Sequence, residues 1–253
     1  MPRYFLELQY KGTRYSGFQE QRNANTVQAE VENAFTTVTR LGVSMTGSSR
    51  TDAGVHARQN YFHFDMEKPV AEWDSMKDIP TLLYKMNAVL PDDIMVKGME
   101  EVKDDAHCRF DAVAREYRYY IYREKDPFLK DRAYYFPYKL DIALMQRAAA
   151  VLKEYEDFTS FSKRNTQVKS FRCKIEVSEW YTADNMLVFH IRANRFLRGM
   201  VRALTATMLK LGRGKLSEAD FRAIIEAKDC TRASFAVPPQ GLFLEKVVFP
   251  QKP

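Results

Sequence analysis

The loop GSSRTDAGVHAR, residues 47–58, contains the residue types expected of an active site. Asp52 is followed by two small residues, which let the backbone turn sharply and leave the carboxylate uncovered. Arg50 and His56 flank the acid. Two interpretations of Asp52 are open: a reactive carboxylate in a groove, or an ordinary turn aspartate that accepts hydrogen bonds from loop amides.

A second candidate is the tyrosine-rich segment REYRYYIYR, residues 115–123. In a strand, Tyr117 and Tyr119 lie on one face. Arg118 and Tyr120 then lie on the opposite face. Phenol rings beside cations are suited to stacking on nucleobases and contacting phosphate. Tyrosines packed against a helix explain the same pattern, so both interpretations remain open.

The segment NRFLRGMVRALTATMLKLG predicts a long helix over residues 195–211. Its apolar residues recur at helical spacing, and Arg195, Arg198 and Arg202 gather on the opposite face. Cations in the first turns oppose the helix dipole unless an anion lies nearby. A carboxylate or a phosphate would serve; a solvated polar face is the alternative.

Composition narrows the class of protein. The chain has 253 residues, 45% of them hydrophobic, a net charge of +6 and a pI near 9.1. A basic balance favours polyanions such as nucleic acid. No apolar run reaches the roughly 18 residues of a membrane span, and no secretion signal is evident at the N-terminus, so a cytoplasmic protein is the simplest interpretation.

The three cysteines are widely spaced, which predicts neither a disulfide framework nor a zinc site. No glycine-rich phosphate loop is present and nothing requires a cofactor or a metal.

The elements that must position these residues fall into two similar runs of strand, helix and strand. A seam at Asp104–Asp105 divides an N-terminal half, residues 1–104, from a C-terminal half, residues 105–253. The pattern predicts an α+β fold with a mainly antiparallel sheet. Predicted strands are 3–10, 43–46, 59–65, 94–102, 114–122, 177–181, 187–191 and 242–249. Predicted helices are 26–40 (with Asn25 as N-cap), 81–89, 141–155, 195–211 and one from Ser217 to about Lys228.

The sequence RTDAGVHA, residues 50–57, resembles the signature loop of the TruA family of tRNA pseudouridine synthases. Further blocks resemble that family in the same order over nearly the whole chain. These blocks are YKGTRYSGFQEQ, TVQAEVENA, NAVLPDDI, CRFDAVAREYRYYIY, DFTSFSK, NRFLRGMVR and GLFLEKVVF.

The resemblance implies a role for four residues. Asp52 matches the catalytic aspartate, which acts as nucleophile. Tyr117 matches the tyrosine that lies against the target base, and Arg202 matches the arginine that pairs with the catalytic carboxylate. Arg50 matches the arginine that fills the space left by a flipped base.

The resemblance also implies a substrate, an assembly and a fold. The substrate is uridine in the anticodon stem-loop of tRNA, commonly at tRNA positions 38 to 40. The enzyme is a homodimer without a cofactor, and its fold has two α/β halves that share a mainly antiparallel central sheet with a cleft between them.

Two positions depart from the family pattern. Ser49 stands where the family usually has glycine, and Phe18 where it usually has tryptophan. Neither change removes a catalytic group, but both bear on the choice of RNA. Two alternatives therefore stay open: a non-catalytic RNA-binding protein on the same scaffold, and the same isomerase acting on another RNA site.

Overall fold

The structure is a computed structural model that describes residues 1–73, 78–164 and 168–250. The chain forms two compact units. The first consists of residues 1–113 together with the segment from Leu244 onward, and the second is Ala114–Phe243. The division into domains at residues 104 and 105 stays a prediction.

The first unit contains an antiparallel sheet. Its strands are β1 (Arg3–Tyr10), β2 (Thr46–Gly47), β3 (His56–Asp65), β4 (Ile94–Val102) and most of β9 (Leu242–Val248). They lie in the order β4-β1-β3-β9, with β2 paired to β3. In β1 the alternate residues Tyr4, Leu6 and Leu8 are buried, as the period-two pattern predicts.

Two helices accompany this sheet, α1 (Val27–Thr39) and α2 (Ile79–Val89). The predicted N-cap of α1, Asn25, is wrong. Thr26 caps the helix, because its side chain accepts a hydrogen bond from the Ala29 amide at 3.3 Å. α2 begins next to a proline and is capped by Asp78, both common at helix starts.

In the second unit the main strands follow the order β5-β8-β7. Its strands are β5 (Ala114–Tyr122), β6 (Tyr134–Tyr135), β7 (Ile175–Ala183) and β8 (Met186–Ala193). β5, β8 and β7 pair antiparallel, and the short β6 lies parallel to β5. The predicted β7–β8 hairpin is confirmed: Asp184 and Asn185 both have positive φ, as a two-residue type I′ turn requires. The predicted α+β class with mainly antiparallel sheet is likewise confirmed.

The helices of the second unit are α3 (Ile142–Val151), α4 (Met200–Gly212) and α5 (Glu218–Glu226). One of them, α4, begins later than the sequence predicts. α4 was predicted to begin at Arg195 but begins at Met200, because Gly199 has a φ of +75° and cannot continue a right-handed helix. Of the three arginines predicted on its polar face, only Arg202 is helical. The predicted arginine face of α4 is therefore wrong.

Among the residues that the structure describes, no helix has the length and apolar character needed to cross a bilayer.

Candidate active site

Asp52 opens a tight turn in the first unit. The Val55 amide donates to the Asp52 carbonyl at 3.2 Å, and Gly54 has a φ of +77°. A positive φ at the third position is what a type II turn requires, and glycine supplies it without steric cost. Asp52 is half-buried and Arg50 is exposed. The sharp turn predicted from the small residues is thus present, and it leaves both side chains accessible.

Thr51, the residue between them, is buried and held from two sides. Its hydroxyl lies 2.8 Å from the hydroxyl of Tyr10, and its carbonyl accepts from the Phe18 amide at 3.2 Å. The backbone on the N-terminal side of Asp52 is therefore fixed before any substrate binds. Fixed supporting contacts are what a catalytic side chain needs, since small misplacements cost rate.

Ser49 is anchored through its main chain. Its carbonyl accepts from the Asn60 side-chain amide at 2.9 Å, and the residue is buried. Within the part of the chain that the structure describes, its hydroxyl has no hydrogen-bond partner. The departure from glycine at this position thus adds a buried polar atom beside Arg50 and leaves the backbone anchor in place.

Phe18, the second departure, lies inside the first unit. Its ring stacks between Tyr10 and Phe62, with centroid separations of 5.6 and 4.6 Å. A Cβ placed on Gly47 would come within 2.3 Å of the Phe18 ring, so the glycine makes room for the aromatic side chain. Because Phe18 is 1% exposed, this departure changes packing beneath the loop that carries Asp52.

His56 connects the loop that carries Asp52 to the loop that follows β1. Its imidazole is buried, and its Nδ1 accepts a hydrogen bond from the Gly12 amide at 2.9 Å. That nitrogen is therefore unprotonated, and this contact gives the histidine a positioning role. Gly12 is close-packed here: a Cβ at this position would lie 2.0 Å from the Val55 carbonyl oxygen.

We expect Gly12→Ala to destabilise the first unit and reduce activity, because the added methyl group forces the two loops apart. Overpacking of this kind costs about 1–3 kcal/mol in the free energy of unfolding, which chemical denaturation can measure. Gly42→Ala is the matched control, since nothing lies within 4 Å of its added Cβ. Equal stabilities of the two variants would contradict the close approach.

An ion pair that sequence analysis missed holds the same region. Arg14 Nε lies 2.7 Å from Asp93 Oδ2, and the Tyr15 hydroxyl donates to the other carboxylate oxygen. Burial acts to raise the pKa of Asp93, but the hydrogen bonds from Arg14 and Tyr15 outweigh it and hold that pKa below its usual value. The three residues lie in the blocks YKGTRYSGFQEQ and NAVLPDDI, and the spacing of those blocks in the sequence does not reveal their contact.

In the second unit, β5 gives its two candidate tyrosines different environments. Tyr119 is fully buried, and its hydroxyl donates to the Pro238 carbonyl at 2.7 Å. Tyr117 is half-buried, and its ring meets Phe196 edge-on at 5.0 Å. Packing therefore accounts for Tyr119, whereas Tyr117 keeps an accessible aromatic surface.

Arg202 lies in the first turn of α4 and is half-buried. Its Nε and Nη2 donate to the Val237 carbonyl, at 3.0 and 2.7 Å. These two bonds fix the plane of the guanidinium. A fixed guanidinium is suited to orienting a carboxylate or a phosphate.

The four candidate residues divide between the units. Asp52 and Arg50 belong to the first unit, and Tyr117 and Arg202 to the second. Each side chain is half-buried or exposed. Their roles remain predictions.

Comparison with known proteins identifies the family. A family model described as tRNA pseudouridine synthase matches residues 8–111 and 148–250. The tRNA pseudouridine synthase A of Porphyromonas gingivalis is 46% identical over 99% of this chain and 98% of its own length. That of Bacteroides thetaiotaomicron is 45% identical over 99% and 92%, and that of Staphylococcus aureus 37% identical over 97% and 90%. The resemblance seen in the loop and its accompanying blocks is confirmed, and the chain belongs to the tRNA pseudouridine synthase family.

Proposed function

We propose that this protein is a tRNA pseudouridine synthase that isomerises uridine to pseudouridine in the anticodon stem-loop, at tRNA positions 38 to 40. The observation that carries the proposal is Asp52 on an anchored turn, within the RTDAGVHA loop of a chain that belongs to this family.

The reaction breaks the N1–C1′ bond, turns the uracil and joins C5 to C1′. The C5 hydrogen leaves and N1 gains a proton, so the nucleoside is rearranged with no net change in its atoms. No electron carrier or energy donor enters this balance. Attack at C1′, attack on the ring and removal of a sugar proton all begin from an ionised carboxylate, which we assign to Asp52.

The remaining three residues suit the steps that surround this chemistry. A paired uridine must leave its stem, which costs a few kcal/mol. Stacking on Tyr117 returns about 1–3 kcal/mol. By the family resemblance, Arg50 fills the vacated space and Arg202 is the planar donor that orients the catalytic carboxylate.

Release of tritium from tRNA labelled at uracil C5 tests the function directly. The synthase reaction replaces the C5 hydrogen, so we expect release and one pseudouridine at positions 38 to 40. Binding of tRNA without release would identify a non-catalytic RNA-binding protein. Release only from another RNA would show the same isomerase acting at a different site.

We expect Tyr117→Ala to lower kcat/KM by about 5- to 150-fold, the equivalent of 1–3 kcal/mol of lost stacking. Tyr117→Phe keeps the ring and its edge-on contact with Phe196, so it should bind tRNA as the wild type does. Filter binding and tritium release measure the two quantities separately. An alanine variant with wild-type kcat/KM would refute the stacking role, and the phenylalanine variant shows what the hydroxyl contributes.

We further propose that the enzyme acts as a homodimer in the cytoplasm, without cofactor or metal. The support is the resemblance to the family and the names of the relatives, which are tRNA enzymes. Sedimentation equilibrium at micromolar concentration tests the assembly: a single monomer mass of 29.5 kDa would contradict it.

A further inference from the structure

We propose that a pocket beside the catalytic loop binds one unpaired nucleobase of the substrate RNA, with Phe110 as its stacking surface and Arg109 as its phosphate contact. The inference rests on the proposed function and adds a second recognition site to it.

The pocket lies within the first unit and has a volume of about 190 Å³. Sites for drug-sized ligands measure about 300–1,000 Å³, so a pocket of this volume suits a single ring system. The residues that line it include Phe18, Met45, Arg50, His107, Arg109 and Phe110.

A rigid turn at residues 107–111 presents the aromatic side of the pocket. The His107 amide donates to the Asp111 carboxylate at 2.7 Å, and the Phe110 amide donates to the His107 carbonyl at 3.1 Å. Cys108 is fully buried, and its thiol donates to the Thr46 carbonyl at 3.2 Å. The position of Phe110 is therefore set before a ligand binds, which reduces the entropy lost on binding.

Phe110 is 74% exposed at the edge of this turn. Its neighbours are one aromatic and one cationic side chain. The centroid of the His107 ring lies 4.2 Å from that of Phe110, with 35° between the ring planes. The Arg109 guanidinium carbon lies 5.9 Å from the Phe110 centroid. A single exposed phenylalanine is common on protein surfaces. An exposed ring that lines a pocket and has an imidazole and a guanidinium beside it resembles the platforms on which single-stranded bases stack.

The charge of the pocket favours the same ligand. Arg50 and Arg109 both line it, and none of its ten lining residues, all of which the structure describes, is acidic. A neutral apolar ligand would gain nothing from two cations, whereas a nucleotide within an RNA chain brings a base for the rings and a phosphate for the Arg109 guanidinium. Arg50 belongs to the catalytic loop, so occupation of the pocket would place the RNA in register with Asp52.

Fluorescence of anticodon stem-loop RNAs tests the proposal, with 2-aminopurine placed at one loop position at a time. Stacking on an aromatic side chain quenches this base. We expect wild-type protein to quench it at one loop position and Phe110→Tyr to retain the effect. Phe110→Ala should abolish that quenching and raise the Kd for tRNA at least about 5-fold, the lower limit of one lost stacking contact.

Tyr84→Ala is the matched control, because Tyr84 is equally exposed at 76%, lies in the same unit and does not line the pocket. We expect it to leave both readouts unchanged. Arg109→Gln should flatten the dependence of log K on log salt by about 0.7–0.9, the loss of one phosphate contact.

Identical behaviour of Phe110→Ala and Tyr84→Ala would overturn the pocket proposal. The two proposals fail separately: absence of tritium release by the wild type refutes the synthase function, whereas tritium release with unchanged quenching in Phe110→Ala refutes only the pocket. Because Phe110 is largely exposed, its truncation does not endanger the fold.

Discussion

Asp52→Asn is expected to abolish pseudouridine formation while tRNA binding survives. The substitution keeps the size of the side chain and removes its negative charge, so neither attack on carbon nor removal of a proton can begin. Loss of a nucleophile or general base lowers kcat by about 10²-fold at the least and commonly far more. Tritium release under single-turnover conditions measures this loss, and filter binding measures the Kd.

The anchored turn makes this variant informative. The hydrogen bond that closes the turn joins the main-chain atoms of Asp52 and Val55, so the amide side chain leaves it intact. Unfolding free energy should therefore change by no more than about 0.5 kcal/mol, the usual range for accessible sites.

Asp92→Asn is the matched control, since its side chain is 98% exposed and lies in the same unit. It should retain wild-type turnover. Near-normal activity in Asp52→Asn would refute the catalytic assignment, and a loss shared equally by both variants would indicate a general effect of charge.

Local patterns predicted the secondary structure of this chain where one signal dominated. The alternation in β1 and the polar Asp184–Asn185 turn each indicated one structure, and the structure contains it. The start of α4 was mispredicted because the apolar spacing continues upstream of Gly199, whereas the left-handed backbone of that glycine ends the helix. Hydrophobic periodicity predicts which side chains would share one face of a helix. The backbone dihedrals decide whether those residues are helical, and at Gly199 they are not.

The candidate site was predictable to the extent that it resembles a known loop. From the residues alone, Asp52 could be a reactive acid or an ordinary turn residue. The two β5 tyrosines could serve either for stacking on bases or for packing inside the protein. The structure separates the tyrosines by burial, which depends on contacts distant in sequence. The Arg14–Asp93 ion pair had no local signal, because it joins segments that are distant in sequence. The anchor of the Phe110 turn, from the Cys108 thiol to the Thr46 carbonyl, had none for the same reason.

Arg202→Leu is expected to lower kcat at least about 10²-fold with tRNA still bound. Leucine keeps an apolar side chain at this position but supplies neither the positive charge nor the planar donor group that orients a carboxylate. Part of the effect is structural, since the Val237 carbonyl loses two donors. An unsatisfied buried acceptor costs about 1–3 kcal/mol in the free energy of unfolding, so denaturation must accompany the activity assay.

Two further variants separate these contributions. Lys210→Leu removes one positive charge from the last turn of the same helix and should retain activity. Arg202→Lys keeps a charge but loses the fork of donors, so its activity should fall between those of the wild type and Arg202→Leu.

The resemblance implies that Arg202 acts through Asp52. If so, the double variant Asp52→Asn/Arg202→Leu will be no slower than Asp52→Asn alone, because the first change already removes the carboxylate on which the arginine acts. Independent, additive losses would show that Arg202 contributes to some other step.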